Sequence, residues 1–572
     1  MNRWALFIAT LAAGLLWAVI RIQPPAPLPA SAPADQFSAA RAMADVRVLA
    51  REAHPTGSAG SAAVLAHLET RLAALGFAVR RVVTPLEGRP ARRLAKWGGD
   101  PAQPAISLVA IRPGVDPAAP AIALMAHHDS VWASPGAADD VAGVAAALEI
   151  ARAIPKATQQ RDLVLLFTDG EELGLVGARA IFADGTKGDP IAGRLGVVIN
   201  LEARGGGGRT MMFQTGPENG DLVRLLARSS PDAAASSVAV TVYESLPNDT
   251  DFTPVLKRGI AGLNFAFIGE AWGYHSPLMT PDRLEQGALQ HLGDSALGVT
   301  RSLLTAKALP GPAPSAVFAT MPGLGLLVYR PAAGWGVLAL SAGLLALAAW
   351  WRRDDWTIAA SALSFGQAVL VLVIAGLLMF GLNLVSGSVG AEYYDRLAAL
   401  PRLELVAGLA ALAALLFAAS APAGSAWDRW LTWAKLCFVA ALAVQIWLPG
   451  AGPVFAWPAL MAALAAAIGA RSSGTMQHVP AALLAVPGLA LTAELAHFAF
   501  LGVGAPMPWA TAPLLVPVLA LLAPLVPAGP RRPALAGLSA SVAAALAVAL
   551  WVNLDAPAAS VPPYAGTEKS QG

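Results

Sequence analysis

The chain has little charge and almost no cysteine. Of its 572 residues, 13% are charged and 56% are hydrophobic, whereas soluble domains average about 25% charged residues. This composition excludes an ordinary soluble protein. The single cysteine, Cys437, lies in an apolar run, so an internal disulfide is excluded and cysteine pairing does not indicate the compartment.

A strong excess of either charge is also missing. The 39 basic and 37 acidic residues give a net charge of +2, so no nucleic-acid partner is expected. Charged and polar residues are concentrated between Gln36 and Thr305, whereas long apolar runs with short polar loops extend from Gly334 to Leu554. We therefore predict a globular domain at residues 36–305 and a membrane domain behind it.

The apolar runs predict nine membrane spans, since about 20 apolar residues cross the hydrocarbon core. The first, Trp4–Ile20, makes residues 1–22 either a transmembrane anchor or a cleaved signal peptide. A Pro/Ala-rich linker at 23–35 follows it. The other eight spans form a domain at 334–553, between a second linker at 306–333 and a polar tail at 554–572. They are predicted at about 334–351, 365–385, 404–421, 432–449, 454–470, 481–503, 509–527 and 534–553.

The loops between the spans predict an orientation, because Lys and Arg are retained on the cytoplasmic side. The short loops fall into two alternating sets, of which one carries most of the basic residues and the other carries only Arg396 and Arg402. The segment 22–333 and the C-terminus are therefore predicted to be non-cytoplasmic. The basic residues of the predicted cytoplasmic side are Arg3, Arg352, Arg353, Arg429, Lys435, Arg471, Arg531 and Arg532.

Polar residues are scarce inside the spans. Glu494 and His497 lie three residues apart, so they mark either an ion or substrate path or a buried hydrogen-bonded pair between packed helices. A transport function remains open but has no further support in the sequence.

Helices alternate with short apolar strands between Gln36 and Thr305, which predicts an α/β fold with a mixed sheet covered by helices on both faces. The all-α membrane domain follows. Helices are predicted at Ala39–Ala53, Ala62–Leu75, Val141–Ile154 and Asp221–Ser229. Strands are predicted at Ile106–Ile111, Ile122–Ala126, Leu163–Phe167, Val197–Leu201, Met211–Gln214, Val238–Tyr243 and Leu263–Ile268.

Ionisable residues follow four of the predicted strands. The strand at 122–126 leads into His127-His128-Asp129, the strand at 163–167 into Asp169-Gly170-Glu171-Glu172, and the strand at 197–201 into Glu202. His275 follows the strand at 263–268. Each residue alone has an ordinary structural explanation, such as a helix cap or a solvated strand end. Together, two histidines and several carboxylates at one sheet edge indicate a metal site suited to zinc.

Five motifs at these positions resemble the M28 family of zinc metallopeptidases. The anchor followed by eight spans resembles its multi-pass branch, which includes endoplasmic-reticulum metallopeptidase and vacuolar membrane protease. The motifs, in the family's order, are AHHDSV at 126–131, GAADDVAG at 136–143, DGEELGLVGA at 169–178, NLEARG at 200–205 and YHSPLMTP at 274–281.

The resemblance implies two zinc ions per subunit and a role for each site residue. Asp139 would bridge the two ions. Asp129 would accept a hydrogen bond from the ring N–H of His127 that faces away from the metal. Glu171 would be the general base, and Tyr274 is either an oxyanion donor or a packing residue. The implied ligands of one zinc are His127 and Glu202, and those of the other are Glu172 and His275.

Two departures from the family pattern concern the support of the metals. Glu202 stands where many relatives have Asp, and Met279 stands where many have an acid behind the last histidine. The expected function is a zinc-dependent exopeptidase, most simply an aminopeptidase, with a peptide substrate and the lipid bilayer as partners. A glutaminyl-cyclase-like acyl transferase and a non-catalytic receptor-like or transport protein are the alternatives.

Overall fold

The computed structural model describes residues 3–389, 393–420, 425–527 and 531–555. The chain divides into two compact units. Within the described ranges, the first comprises residues 24–320 and 325–328, and the second comprises residues 3–23, 321–324 and 329–555. The predicted tail at 554–572 lies outside the described residues beyond Asp555.

An eight-stranded mixed sheet forms the centre of the first unit, in the order β1-β2-β4-β3-β5-β8-β6-β7. Its four central strands, β4, β3, β5 and β8, are mutually parallel, and the antiparallel strands β2 and β6 flank them. The strands are β1 (Ala78–Thr84), β2 (Ala105–Arg112), β3 (Ala121–His127), β4 (Leu163–Thr168), β5 (Leu195–Ala203), β6 (Met211–Thr215), β7 (Ala234–Ala235) and β8 (Ala261–Phe267).

Helices are numbered along the whole chain, and α1 (Arg3–Ile22) belongs to the second unit. The first unit contains the next nine. They are α2 (Ala39–Leu49), α3 (Ala59–Ala74), α4 (Gly88–Lys96), α5 (Val141–Ala153), α6 (Val176–Ile181), α7 (Gly220–Ser229), α8 (Ser237–Glu244), α9 (Phe252–Lys257) and α10 (Gln286–Thr305).

The central strands are buried on both faces, as their continuous apolar runs predict. Successive residues of a strand point to opposite faces, so Leu124 and Leu165 lie in the core with α2, α5 and α10. Their neighbours Met125 and Leu166 lie in a second core with α6 and α9. The predicted α/β architecture with helices on both faces is confirmed.

One predicted strand is wrong, since residues Val238–Tyr243 lie in helix α8. The β-branched residues of this segment favour a strand, but the Ser236 hydroxyl accepts a hydrogen bond from the Val238 N–H and caps a helix instead. Val240 is buried against the core. Tertiary packing and the cap therefore outweigh the local propensity.

Both predicted linkers contain residues of the folded first unit, at 24–35 and at 306–320 and 325–328. Residues 306–333 contain a hairpin of β9 (Val317–Met321) and β10 (Gly325–Tyr329). Phe318 is 1% exposed in the main core, and its carbonyl accepts a 3.0 Å hydrogen bond from the Ser237 hydroxyl. In the N-terminal linker, the Leu28 N–H donates to Gln290 Oε1 at 2.9 Å.

The second unit is helical. Within the described ranges, nine of its helical segments are long and apolar enough to cross a membrane, in agreement with the nine predicted spans. The span predicted at 509–527 is irregular, because 3-10 turns at Pro508–Leu514 and Ala523–Leu525 flank α18. The helices after α10 are α11 (Pro331–Trp351), α12 (Ile358–Val385), α13 (Tyr393–Ala398), α14 (Leu400–Ser420), α15 (Ala426–Trp447), α16 (Pro453–Ala470), α17 (Val479–Ala499), α18 (Leu515–Leu522) and α19 (Arg531–Leu554).

Glu494 and His497 of α17 pair with other helices instead of with each other. The Glu494 carboxylate lies 2.7 Å from Arg21 Nε of α1, and His497 Nδ1 lies 2.7 Å from Glu404 of α14. The two contacts link α17 to α1 and to α14.

The hairpin gives a first prediction. In a fragment of residues 24–329, Phe318→Ala should lower the free energy of unfolding by about 3–5 kcal/mol, because it vacates a buried aromatic site. Val115→Ala removes a side chain of the same unit that is 71% exposed and should change it by less than about 0.5 kcal/mol. Urea unfolding measures both. Equal, small effects would mean that the hairpin is not part of the folded unit.

Candidate metal centre

The ionisable residues predicted at the strand ends meet at one edge of the sheet. His127 is the last residue of β3, Glu202 is near the end of β5, and Glu172 follows β4. His275 follows β8. Because β4, β3, β5 and β8 are parallel, their carboxyl ends lie at the same edge.

Asp139 lies at the centre of this group. Its Oδ1 is 2.9 Å from His127 Nε2, and its Oδ2 is 3.1 Å from His275 Nε2. The same His275 nitrogen is 2.8 Å from Glu172 Oε1. Asp139 therefore belongs to two donor groups whose atoms lie within 4.8 Å of one another, one with His127 and Glu202 and the other with Glu172 and His275.

The chemistry of the donor set fits metal ions. Asp139, Glu172 and Glu202 are only 5–7% exposed, and several ionised carboxylates cannot share a buried site without positive charge. Imidazole nitrogens and carboxylate oxygens, without a thiolate, are suited to zinc and similar divalent cations.

The pKa values of the site residues also favour a bound cation. Burial raises the pKa of Glu172, and nearby Asp139 raises it further. Burial and the Asp140 carboxylate likewise raise the pKa of Glu202. Although burial opposes it, Glu172 and Asp139 raise the pKa of His275 to about 10. The carboxylates thus favour the protonated, positively charged form of the His275 imidazole. The same negative charge would favour a bound metal cation at this position.

The two adjacent aspartates have different roles. Asp140 is the N-cap of α5, since its Oδ1 accepts a 3.1 Å hydrogen bond from the Gly143 N–H. Its other oxygen accepts a 3.3 Å hydrogen bond from the His127 N–H. Asp140 is thus occupied by the backbone, and Asp139 extends between the two histidines.

Asp129 contacts both His127, as the sequence predicts, and the segment after β4. His127 Nδ1 lies 3.0 Å from the Asp129 carbonyl oxygen and 3.5 Å from its carboxylate. The carboxylate oxygens also accept hydrogen bonds from the backbone N–H groups of Glu171, at 3.1 Å, and Glu172, at 3.2 Å. Asp129 therefore links the segment after β3 to the segment after β4.

Glu171 lies beside the donor groups and is less buried than Glu172. One of its oxygens is within 4.8 Å of donor atoms of His127 and Glu172. Burial raises its pKa well above the ordinary value, and the Glu172 and Asp251 carboxylates add to this rise. Asp251 in turn accepts a short hydrogen bond from the Thr168 hydroxyl at the end of β4.

Two tyrosines lie near the centre, and sequence reasoning identified only one. Tyr274 stacks on His275 with 3.7 Å between ring centroids. Tyr243 of α8 was missed, because no motif surrounds it and its segment was predicted as a strand. Its hydroxyl is buried, and burial together with the Glu202 and Glu171 carboxylates raises its pKa.

A glycine permits the loop after β5 to close behind the site. A Cβ atom on Gly205 would lie 2.1 Å from the Gly269 carbonyl oxygen, which no side chain can tolerate. This glycine ends the NLEARG segment, so the motif contributes both Glu202 and the close approach of the β5 and β8 loops.

Residues 107–300 match the model of Peptidase family M28. The match contains all five predicted metal ligands and Glu171, so the chain carries an M28 metallopeptidase domain.

Among curated relatives, the chain is similar to endoplasmic reticulum metallopeptidase 1 of Mus musculus, with 36% identity over 217 residues. That alignment covers 36% of this chain and 24% of the relative. Vacuolar membrane protease of Botryotinia fuckeliana is 31% identical over 181 residues, which cover 31% of this chain and 17% of that protein. The chain thus spans a quarter or less of the length of these relatives. With its nine apolar helices in the described ranges, it is a membrane protein.

Among solved structures, an aminopeptidase from Aneurinibacillus sp. strain AM-1 aligns with 15% identity and a TM-score of 0.38. The alignment covers 49% of this chain and 97% of that one.

The Asp129 contacts give a second prediction. Asp129→Ala should weaken metal binding by about 10- to 100-fold, because it frees the segment that carries Glu171 and Glu172. Competition with a chelator measures the affinity. Asp116→Ala, an exposed acidic residue on the same unit, is the matched control and should leave the affinity unchanged. Equal affinities for the two variants would contradict the supporting role of Asp129.

Proposed function

We propose that this chain is a membrane-bound zinc exopeptidase, most simply an aminopeptidase, that acts on peptides on the non-cytoplasmic side. The observation that carries the proposal is the position of Asp139, shared by two buried donor groups with a further carboxylate, Glu171, beside them. The M28 match over residues 107–300 supports it.

The proposed cofactor is zinc, with two ions per subunit. His127 and Glu202 would hold one ion, Glu172 and His275 the other, and Asp139 both. Zinc bound there would polarise the scissile carbonyl group and lower the pKa of the attacking water.

Glu171 is the proposed general base. Its carboxylate lies next to the donor groups, and its raised pKa suits a group that takes a proton and later returns it. In the proposed reaction Glu171 accepts a proton from the attacking water and delivers it to the leaving amine. Glu172, although adjacent in sequence, faces His275 at 2.8 Å and is assigned to metal binding.

Tyr243 is the proposed donor to the oxyanion of the tetrahedral intermediate. A phenol with a raised pKa stays protonated at neutral pH and can donate to a developing negative charge. Burial and Asp139 also raise the pKa of Tyr274, but its ring is stacked on His275, which fits packing behind a ligand.

The proposed orientation has support from the helical unit itself. The Arg3 guanidinium donates to the carbonyls of Pro524 and Val526, both at 3.0 Å, so the start of α1 lies at the end of the eighth span. Arg352 after α11 donates to the carbonyls of Ala470 and Ser472. The helix ends that carry these basic residues thus lie together at one end of the unit. The positive-inside rule assigns such an end to the cytoplasmic side.

A third prediction separates the two adjacent glutamates. Glu171→Gln keeps the size of the side chain but cannot take a proton, so turnover of aminoacyl and peptidyl substrates should fall roughly 100-fold or more with zinc content unchanged. Glu172→Gln removes an anionic ligand, so zinc content should fall and activity should partly return at high zinc. Zinc loss in the first variant with full occupancy in the second would reverse the roles. Normal turnover in both would contradict the peptidase proposal.

The two tyrosines give a fourth prediction. Tyr243→Phe should lower kcat by about 10²–10³-fold, the cost of one oxyanion donor, with zinc content and folding unchanged. Tyr274→Phe keeps the ring stacked on His275 and should retain most activity. Steady-state kinetics of the two variants decide between them, and the opposite ranking would assign the oxyanion to Tyr274.

The topology gives a fifth prediction. Reporter fusions after Thr305 and after Leu554 should be exported, and a fusion after Arg353 should remain in the cytoplasm. Dual reporters, one active on each side of the membrane, provide the internal control. A cytoplasmic signal from the Thr305 fusion would overturn the proposed side of the peptidase domain.

A further inference from the structure

A cavity of about 210 Å³ lies within the helical unit, at the end where its basic residues gather. Among the described residues that line it, three carry guanidinium groups, Arg3, Arg352 and Arg429, and one is acidic, Asp355. Asp355 is 49% exposed and lies 3.2 Å from Arg352. The cavity therefore has an excess of positive charge.

The buried polar atoms of the cavity wall are also predominantly donors. Trp427 and Trp430 line it and are 6% and 2% exposed. Their indole N–H groups and the Arg3 Nε–H are buried without a hydrogen-bond partner among the residues that the structure describes. Buried donors are normally paired, and an indole N–H can only donate. A negatively charged acceptor would accept hydrogen bonds from these N–H groups and balance the charge of the guanidiniums.

The wall is held in place before any ligand arrives. Arg352 donates from Nε to the Ala470 carbonyl at 3.0 Å and from Nη2 to the Ser472 carbonyl at 2.7 Å. Its guanidinium also lies 5.1 Å from the centre of the Trp427 ring. Trp427 in turn packs edge-on against Trp430, with ring centroids 4.7 Å apart. Arg352 is thus positioned by the backbone and by an aromatic ring, and Arg3 by the carbonyls of Pro524 and Val526, so little ordering of these two side chains is needed on binding.

We propose that this cavity binds a phosphate-bearing anion. Guanidiniums in fixed positions match phosphate oxygens, and indole donors supply the remaining hydrogen bonds. The anion has two possible sources, an anionic lipid headgroup or a free phosphate. The cavity favours the headgroup, because Arg3 begins α1, Arg352 follows α11 and Arg429 lies in the first turn of α15. Helix ends of this kind, with tryptophans beside them, lie at the headgroup level of a bilayer.

This site is independent of the peptidase proposal, and its test needs no activity. The full-length protein is reconstituted in nanodiscs of phosphatidylcholine, with and without phosphatidylglycerol, and retained lipid is measured by native mass spectrometry. Trp430→Phe keeps an aromatic ring and removes one donor, and Arg429→Gln removes one cation. Inorganic phosphate is titrated separately against detergent-solubilised, delipidated protein.

We expect the wild type to retain phosphatidylglycerol selectively. Arg429→Gln should weaken this binding roughly tenfold or more, the scale of one hydrogen bond to a charged group, and Trp430→Phe should weaken it less. Arg402→Gln and Trp457→Phe make the same chemical changes outside the cavity and should leave retention unchanged. Thermal unfolding confirms that each variant is folded.

The outcomes separate the two sources of the anion. Selective lipid retention that inorganic phosphate does not displace identifies the headgroup. Phosphate binding by the delipidated protein that Arg429→Gln weakens identifies a soluble ligand at the same site. Binding of neither ligand, or equal effects of the cavity variants and their matched controls, would overturn the proposal.

Discussion

The burial of several carboxylates at one edge of the sheet is the constraint on which the first unit depends. Asp139, Glu172 and Glu202 are nearly inaccessible to solvent and are balanced within the described protein atoms chiefly by two histidines. Such a group is stable when its charge is compensated. The raised pKa of His275, at about 10, has the same cause, because the neighbouring carboxylates favour a positive charge beside them. A pair of divalent cations would compensate this charge, and the catalytic proposal depends on that compensation.

The topology of the sheet brings these carboxylates together. Four parallel strands place residues from distant parts of the chain at one edge, while the helix that starts at Val141 is capped by Asp140 and leaves Asp139 between the histidines. Asp129 then fastens the loop that carries the two glutamates. The backbone contacts are the reason that neighbouring acidic residues can have different tasks.

Much of this arrangement could be predicted, because apolar runs and the residues that end them are local features. Continuous apolar runs predict the central strands and the membrane spans. His127 and Glu202 are predicted as site residues because each comes directly after a predicted strand. The helix at Val238–Tyr243 could not be predicted, since its cap and its packing against the hairpin outweigh β propensity. Tyr243 was missed with it, because only the folded helix brings its hydroxyl near the site.

The most direct test of the central claim is anomalous scattering at the zinc edge from crystals of the full-length protein grown with zinc. Two peaks should flank Asp139, each about 2.0–2.2 Å from one carboxylate oxygen, as zinc–oxygen bonds require. One peak should lie beside His127 and the other beside His275. A single peak, or peaks that do not share Asp139, would contradict the proposed two-metal centre.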